Sequence, residues 1–388
     1  MSCTSAPADT SVWPGRALRQ VRAADSSRAF VTAIASPPLA QKEMASPAVR
    51  TRARRTGDAR ASDGPRWVRH VVGPGHKLAL LVAVATTLAL GALAGVGWAA
   101  GPAHVWRLLA HPHWIWFPVA FGSELLAYLG YTFAYREVAR AEDGAELEAP
   151  HAAALVAVGF GAFLQGGGFS LDREALKRSG LSARKARARV LSLGSLEYAV
   201  LAPATAVAAG LVFVRQSDVS ASLTLPWIIA VPTGCALALV ALRFRRRLER
   251  RSGWRAALGR FLSALRLVLR ILVTPRKHGL ALAGITLYWL GDIACLWATL
   301  HLFYAKPPPV AQLIVGYATG YALTRRALPL GGAGIVESLL PFALGWVGIA
   351  LPQALLAVVA YRLFNLWLPM APALAAIPQL ARLEAAAR

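Results

Sequence analysis

The apolar residues of this 388-residue chain are gathered into blocks of about 20 residues, the length that crosses the hydrocarbon core of a bilayer as an α-helix. Hydrophobic residues make up 56% of the chain and charged residues 16%. A soluble protein of this length would distribute charge along each of its helices and strands. The blocks therefore predict an all-α integral membrane protein that crosses the bilayer several times.

Most of the blocks predict uninterrupted transmembrane helices: Leu78–Ala100, Trp114–Ala134, Leu191–Val214, Pro226–Leu242, Ala281–Phe303 and Ala354–Ile377. The blocks Ala152–Leu171 and Val310–Leu351 are instead broken by glycines, at 166–168 and at 331–334. Glycine-broken segments in corresponding halves of a chain are typical of inverted-repeat transporters. We therefore predict a polytopic helical bundle in which both broken blocks form re-entrant hairpins related by a pseudo-repeat.

The basic residues predict which segments face the cytoplasm. The chain carries 42 Lys+Arg against 19 Asp+Glu, and 32 of the basic residues fall in the segments 1–77, 173–189 and 243–277. Such patches between apolar blocks follow the positive-inside rule and attract anionic lipid headgroups. A nucleic-acid partner is not expected, because the sequence shows neither a recognisable nucleic-acid-binding motif nor interleaved stacking aromatics.

The charge pattern also divides the chain. Residues 1–75 lack a helical apolar period and predict a disordered basic cytoplasmic tail. Residues 76–380 form the predicted transmembrane domain, and 381–388 form a short tail. Within that domain, the basic segment 243–278 contains an amphipathic stretch, Trp254–Leu272, expected to lie on the membrane surface. The prediction is a multi-pass protein of the cytoplasmic membrane with its N-terminus inside.

Ionisable residues inside apolar blocks are costly unless they are paired or hydrated, so they are the first candidates for function. They are Glu124, Glu197, Asp292, Arg325, Arg326, Glu337 and Arg362. Glu124 and Asp292 are candidates either for function or for hydrogen bonds between helices. Glu197 lies near a predicted cytoplasmic helix end, which favours a structural role.

The charged residues of the second half gather around its glycine break. Arg325, Arg326 and Arg362 would supply positive charge there, and Glu337 would orient them. The N–H groups of a half-helix that begins at the break would add donors for an anion. A purely structural ion-pair network is the alternative.

The three glycines 331, 332 and 334 also allow two interpretations. Unwound backbone with a positive φ would expose N–H groups to a phosphate. Close helix packing is the alternative, because small residues commonly serve it in membranes.

Two sequence stretches resemble the lysylphosphatidylglycerol synthase transmembrane region, a flippase-like family. They are PLGGAGIVES (Pro329–Ser338) and YRLFNLWLP (Tyr361–Pro369). In the family pattern, the first holds Pro329, Gly331, Gly332, Gly334 and Glu337, and the second holds Tyr361, Arg362, Trp367 and Pro369. GGGFSLDREALKRSGLS (Gly166–Ser182) resembles the first-half motif and adds Arg173 as a candidate, although Gln165 replaces the usual Pro.

The resemblance implies a lipid-translocating domain. Full-length synthases of that kind carry a soluble C-terminal aminoacyl-transferase domain, which this chain is expected to lack. A separate synthase or a second copy of the chain is therefore an expected partner, beside the membrane phospholipids themselves.

Sequence motifs of enzymes and cofactor sites were weighed against this interpretation. The chain contains no Gly-x-x-x-x-Gly-Lys-[Ser/Thr] phosphate loop. Its three cysteines, Cys3, Cys235 and Cys295, do not have metal-ligand spacing. His111 and His113 stand in a short predicted loop. We therefore predict no catalytic residues, no metal and no cofactor.

The leading hypothesis is a phospholipid flippase that acts on anionic or aminoacylated phospholipids. Arg325, Arg326 and Arg362 would hold the headgroup phosphate, while Glu337 would orient Arg362 or meet a cationic headgroup. Two alternatives remain open. One is a membrane-embedded transferase on lipid-linked substrates with Glu337 or Asp292 as base, and the other is a non-transporting scaffold.

Overall fold

The structure is a computed structural model. The structure describes residues 75–160, 168–215, 219–250, 252–303, 307–321 and 332–386. Within these ranges every regular element is a helix. The α-helices are α1 (Gly75–Ala100), α2 (Pro102–Leu109), α3 (Trp116–Arg140), α4 (Ala149–Gly159), α5 (Gly168–Arg178), α6 (Ala183–Val214), α7 (Ala221–Glu249), α8 (Gly253–Val273), α9 (Pro275–Phe303), α10 (Val310–Tyr321), α11 (Ile335–Trp346), α12 (Leu351–Arg362) and α13 (Met370–Ala386).

Five helical segments of the described chain are long and apolar enough to cross a membrane: Leu80–Ala100, α6, α7, α9 and Leu351–Leu380. The all-α polytopic membrane fold predicted from the sequence is thereby confirmed. The predicted span Trp114–Ala134 is not among these five segments. It lies largely in the helix α3, but the aromatic, glycine and charged residues of α3 lower its mean hydropathy.

Helix α3 instead packs along α9 at very short range. A β-carbon on Gly284 would lie 2.6 Å from the carbonyl oxygen of Gly130, and one on Gly291 would lie 2.5 Å from that of Ser123. Only glycine allows two helix backbones to approach so closely. The sequence analysis did not anticipate this contact.

The basic segment 173–189, which stands between two apolar blocks and was predicted to face the cytoplasm, is not a loop in the structure. It is mostly helical, because α5 runs to Arg178 and α6 begins at Ala183. Ser182 caps α6 by accepting a hydrogen bond from the backbone N–H of Lys185 at 3.4 Å. The early start also corrects the position predicted for Glu197, which lies in the middle of α6 and is buried.

The amphipathic helix predicted at Trp254–Leu272 is present as α8, but its apolar residues serve two different faces. Leu262 and Val268 are buried against the bundle, whereas Trp254 and Phe261 are exposed. The prediction treated these residues as one membrane-facing stripe. Helical spacing over five turns fits both a lipid-facing and a protein-facing stripe, so periodicity alone could not separate them.

Both glycine-broken blocks contain short helices, α4 and α5 in the first half and α10 and α11 in the second. Each has 11 or 12 residues, about 18 Å at 1.5 Å per residue, well short of the bilayer core. The re-entrant arrangement of these helices stays a prediction. The breaks themselves, 161–167 and 322–331, lie outside the described residues.

The last predicted span, Ala354–Ile377, is interrupted in the structure. α12 passes into a π-helical turn, Leu363–Trp367, before α13 begins. The N–H of Leu368 donates to the carbonyl of Leu363 at 2.8 Å, which closes the wider π turn. Such single π turns occur frequently at functional sites.

Candidate functional site

The structure brings two of the predicted residues together as a buried ion pair. Nε of Arg362 donates to Oε1 of Glu337 at 2.7 Å. The side chains are 3% and 1% exposed respectively. Breaking a pair buried this deeply leaves a charge without solvent or partner, so both members must be retained together.

Glu337 also closes the first turn of α11. Its Oε2 accepts a hydrogen bond from the backbone N–H of Gly334, the N-cap residue, at 2.7 Å. This is the reciprocal half of a capping box, in which the third helical residue reaches back to the N-cap. Each carboxylate oxygen of Glu337 therefore has a donor from the protein, one from the backbone and one from Arg362. This geometry supports an orienting role toward Arg362 rather than contact with a cationic headgroup.

The glycines before α11 adopt the positive φ predicted for at least one of them. Gly332 has φ 71° and Gly334 has φ 85°. A β-carbon on Gly334 would also lie 3.2 Å from Cβ and from the carbonyl oxygen of Leu88. Backbone conformation and close packing against α1 thus both require glycine at 334. Gly331 lies outside the described residues.

A second buried polar cluster surrounds Asp292 on α9. Its Oδ2 accepts hydrogen bonds from the hydroxyls of Tyr361, at 2.9 Å, and Tyr317. Its Oδ1 accepts from Nδ2 of Asn365 at 2.6 Å. Asp292 is fully buried, so these donors take over the solvation that burial removes from the carboxylate.

Asn365 connects this cluster to two further helices. Its Nδ2 lies 3.3 Å from Oε1 of Glu124 on α3. Its Oδ1 accepts from the hydroxyl of Tyr321 on α10 at 2.8 Å. Glu124 and Asp292 thus take part in hydrogen bonds between helices, and a functional role for either residue stays a prediction.

The π turn brings the ion pair and the Asp292 cluster side by side. Tyr361 and Arg362 end α12, and Asn365 lies within the turn. Between Tyr361 and Asn365, side chains of the end of α12 and of the π turn hydrogen-bond to α3, α9, α10 and α11. Much of the buried polar chemistry of the described residues is therefore gathered around the π turn and the end of α12.

The remaining predicted residues do not join this centre. Glu197 accepts a hydrogen bond from the hydroxyl of Tyr131 at 2.8 Å, and its backbone carbonyl accepts from Nε1 of Trp289 at 2.9 Å. These contacts tie α6 to α3 and α9. Arg173 is exposed on α5. Arg325 and Arg326 lie outside the described residues.

Sequence reasoning missed Tyr317 and Asn365, which donate to the predicted carboxylates, and Tyr321, which donates to Asn365. Tyr361 was named only as part of a family motif, without a role as a donor to Asp292. A signal was available, because 317 and 321, like 361 and 365, stand four residues apart and so share one helix face. Uncharged polar residues inside the apolar blocks were not among the candidates. No cluster of His, Cys, Asp and Glu suited to a metal occurs in the described part of the chain.

Comparison with known proteins identifies the family. No curated protein shows significant similarity to the chain. The family model of the lysylphosphatidylglycerol synthase TM region matches residues 78–373, which include most of α1, all of α2 to α12 and both polar clusters described above. The match covers most of the sequence, and the chain therefore belongs to the lysylphosphatidylglycerol synthase TM region family.

Proposed function

We propose that this membrane protein binds anionic or aminoacylated phospholipids and moves their headgroups across the bacterial cytoplasmic membrane. Family membership already gives it a lipid-related function in a membrane and membrane phospholipids as its partners. The step to headgroup translocation is supported above all by the buried Arg362–Glu337 pair at the break before α11. Buried charge in a membrane protein is expensive and is kept where a polar substrate must pass.

In this proposal the start of α11 meets the phosphate. The first N–H groups of a helix carry partial positive charge and favour anions. Glu337 holds the guanidinium of Arg362 in place through the 2.7 Å hydrogen bond. Arg325 and Arg326, only a few residues earlier in the sequence, would add positive charge, while the acyl chains stay in the bilayer.

The wider polar cluster supports the same path. Asp292 and Glu124 accept hydrogen bonds from Tyr361 and Asn365, which stand on either side of Arg362 in the sequence. A headgroup that carries both a phosphate and an amino group needs groups of both signs. Paired sites of opposite charge fit an aminoacylated phospholipid better than a simple anion.

A lipid-scrambling assay tests this function. The full chain is reconstituted into phosphatidylglycerol vesicles that contain a trace of fluorescent phosphatidylglycerol, and dithionite bleaches the dye in the outer leaflet. Protein vesicles should lose more signal than protein-free vesicles, because inner-leaflet lipid becomes accessible. Arg326→Gln should slow this loss. Arg276→Gln removes the same charge from an exposed residue of α9 and should leave the rate unchanged.

Two results would contradict the proposal. Fluorescence loss equal to that of protein-free vesicles would remove the translocation step. A chemically changed lipid in the recovered vesicles, seen by thin-layer chromatography, would favour the membrane-embedded transferase instead.

A further inference from the structure

A groove lined with arginines lies where the start of α6, the end of α7 and the first half of α8 meet. It consists of two adjoining cavities that share Arg184, Glu249 and Arg260, with volumes of about 570 Å³ and about 1050 Å³ including their open mouths. The charged residues that line it are Arg184, Arg187, Arg246, Arg250, Arg260 and Glu249. None of these residues belongs to the family motifs or to the polar clusters around Arg362 and Asp292.

The walls of the groove are fixed by close packing between α7 and α8. A β-carbon on Gly259 would lie 2.5 Å from the backbone nitrogen of Glu249. The two helix backbones therefore touch at the base of the groove. The arginines around it come from three packed helices, which fixes the positions of their backbones relative to one another.

A carboxylate of the protein already lies among these arginines. Nη2 of Arg184 donates to Oε2 of Glu249 at 2.9 Å, and the hydroxyl of Ser263 donates to Oε1. Both carboxylate oxygens are thus bound inside the groove. The position of Glu249 marks where a negatively charged group is stabilised.

One carboxylate does not neutralise five arginines. Glu249 is the one acidic residue among the described residues that line the groove. Arginine side chains held side by side repel one another unless an anion lies between them. Their planar guanidinium groups are suited to phosphate oxygens, which they can bind through two parallel hydrogen bonds.

The surroundings of the groove indicate where this phosphate comes from. On the other side of α8, Trp254, Leu258 and Phe261 are exposed and share one face. Such a stripe of large apolar side chains fits the acyl boundary of a bilayer. Basic pockets between membrane helices at the cytoplasmic side bind anionic lipid headgroups.

We propose that this groove binds the phosphate of an anionic phospholipid from the cytoplasmic leaflet, and that Glu249 competes with it for the arginines. The site would be separate from the translocation site, since it lies on α6, α7 and α8 and uses none of its residues. A headgroup with two negative charges, such as phosphatidic acid, should bind better than one with a single charge.

Binding to the full-length protein in detergent tests the proposal, with native mass spectrometry to count bound lipids. The probes are dioctanoyl phosphatidic acid, dioctanoyl phosphatidylcholine and inorganic phosphate. Phosphatidic acid should bind at least about tenfold more tightly than phosphatidylcholine, a difference of about 1.4 kcal/mol. Displacement of phosphatidic acid by equal concentrations of inorganic phosphate would overturn the assignment to a lipid.

Variants separate the groove from general basic charge. Arg260→Gln and Arg184→Gln should each weaken phosphatidic acid binding by about tenfold, as expected for the loss of one charge-assisted contact. Arg184 is 78% exposed, so its replacement should not disturb folding. Arg276→Gln removes the same charge outside the groove and should leave binding unchanged. Equal losses in the groove variants and in Arg276→Gln would overturn the site.

Glu249→Gln gives the sharpest distinction. Removing the competing carboxylate should strengthen phosphatidic acid binding about threefold to tenfold, whereas loss of a merely structural contact would weaken it. Unchanged or weaker binding in this variant would contradict the competition. Scrambling activity is measured on the same variants, so a failure of the groove site can be told apart from a failure of the translocation proposal.

Discussion

Replacement of Glu337 by Gln tests the central ion pair directly. The amide oxygen of Gln can still accept the N–H of Gly334, but its NH₂ group cannot accept from Nε of Arg362. Arg362, 3% exposed, would then keep its charge without this acceptor. Removing one member of a buried pair typically costs about 3–5 kcal/mol, so we expect Glu337→Gln and Arg362→Gln each to lower stability by that amount.

The double variant distinguishes the pair from two independent contacts. Two amide side chains can hydrogen-bond to each other and leave no buried charge, so the combined loss should be smaller than the sum. We expect a coupling free energy of about 2 kcal/mol or more, near the upper part of the range for residues in contact. Glu337→Ala should cost about 1 kcal/mol more than Glu337→Gln, because it also removes the cap on Gly334.

The free energies come from unfolding in mixed micelles with increasing sodium dodecyl sulfate, followed by the fluorescence of the 12 tryptophans. Glu174→Gln is the matched control. Its partner Lys177 lies at 2.8 Å, but both side chains reach solvent, and exposed pairs contribute about 0–1 kcal/mol. Additive losses in the cycle, or losses at 337 no larger than at 174, would refute the reasoning.

Three further predictions concern backbone geometry and topology. Gly332→Ala should express normally yet weaken binding to phosphatidylglycerol vesicles, because φ 71° strains any residue with a β-carbon. Gly95→Ala is the control and should bind normally, because its new β-carbon would have no other atom within 4 Å. Equal binding of the two variants would leave helix packing as the explanation of the glycines. Gly284→Ala should destabilise the protein by about 1–3 kcal/mol, because its β-carbon would overpack the α3–α9 contact. Gly122→Ala, whose β-carbon would meet no atom within 4 Å, should not, and equal unfolding midpoints for the two variants would contradict that contact. Lys185→Cys in a cysteine-free background should react with impermeant maleimide only from the cytoplasm, and labelling from outside would exclude the predicted hairpin at 152–171.

Much of the helical architecture could be predicted from the sequence, because bilayer-length apolar runs have few other structures available to them. The amphipathic helix at Trp254–Leu272 could be predicted because its pattern depends on neighbouring residues alone. A positive φ near Gly332 was one of the two interpretations of the glycines, and it too depends on local sequence. Contact between Glu337 and Arg362 was one of the two roles considered for Glu337, because two charges buried in one region stabilise each other, and the structure shows this pair.

The features that were missed depend on which helices become neighbours. Gly130 and Gly284 mark a close contact only when α3 and α9 are side by side. Arg184 and Arg260 line one groove although they are far apart in sequence, and each alone is an ordinary basic residue. The π turn at 363–367 was not predicted either, because its apolar sequence reads as continuous α-helix.

The two motif stretches become one unit through the lengths of the helices that separate them. Both α11 and α12 have 12 residues, so each rises about 18 Å at 1.5 Å per residue. Joined by a short turn, two antiparallel helices of equal length return the chain to the level where the first began. Arg362, the last residue of α12, therefore reaches Glu337 in the first turn of α11. The glycines fix where α11 starts and the π turn follows where α12 ends, so the ion pair depends on both boundaries.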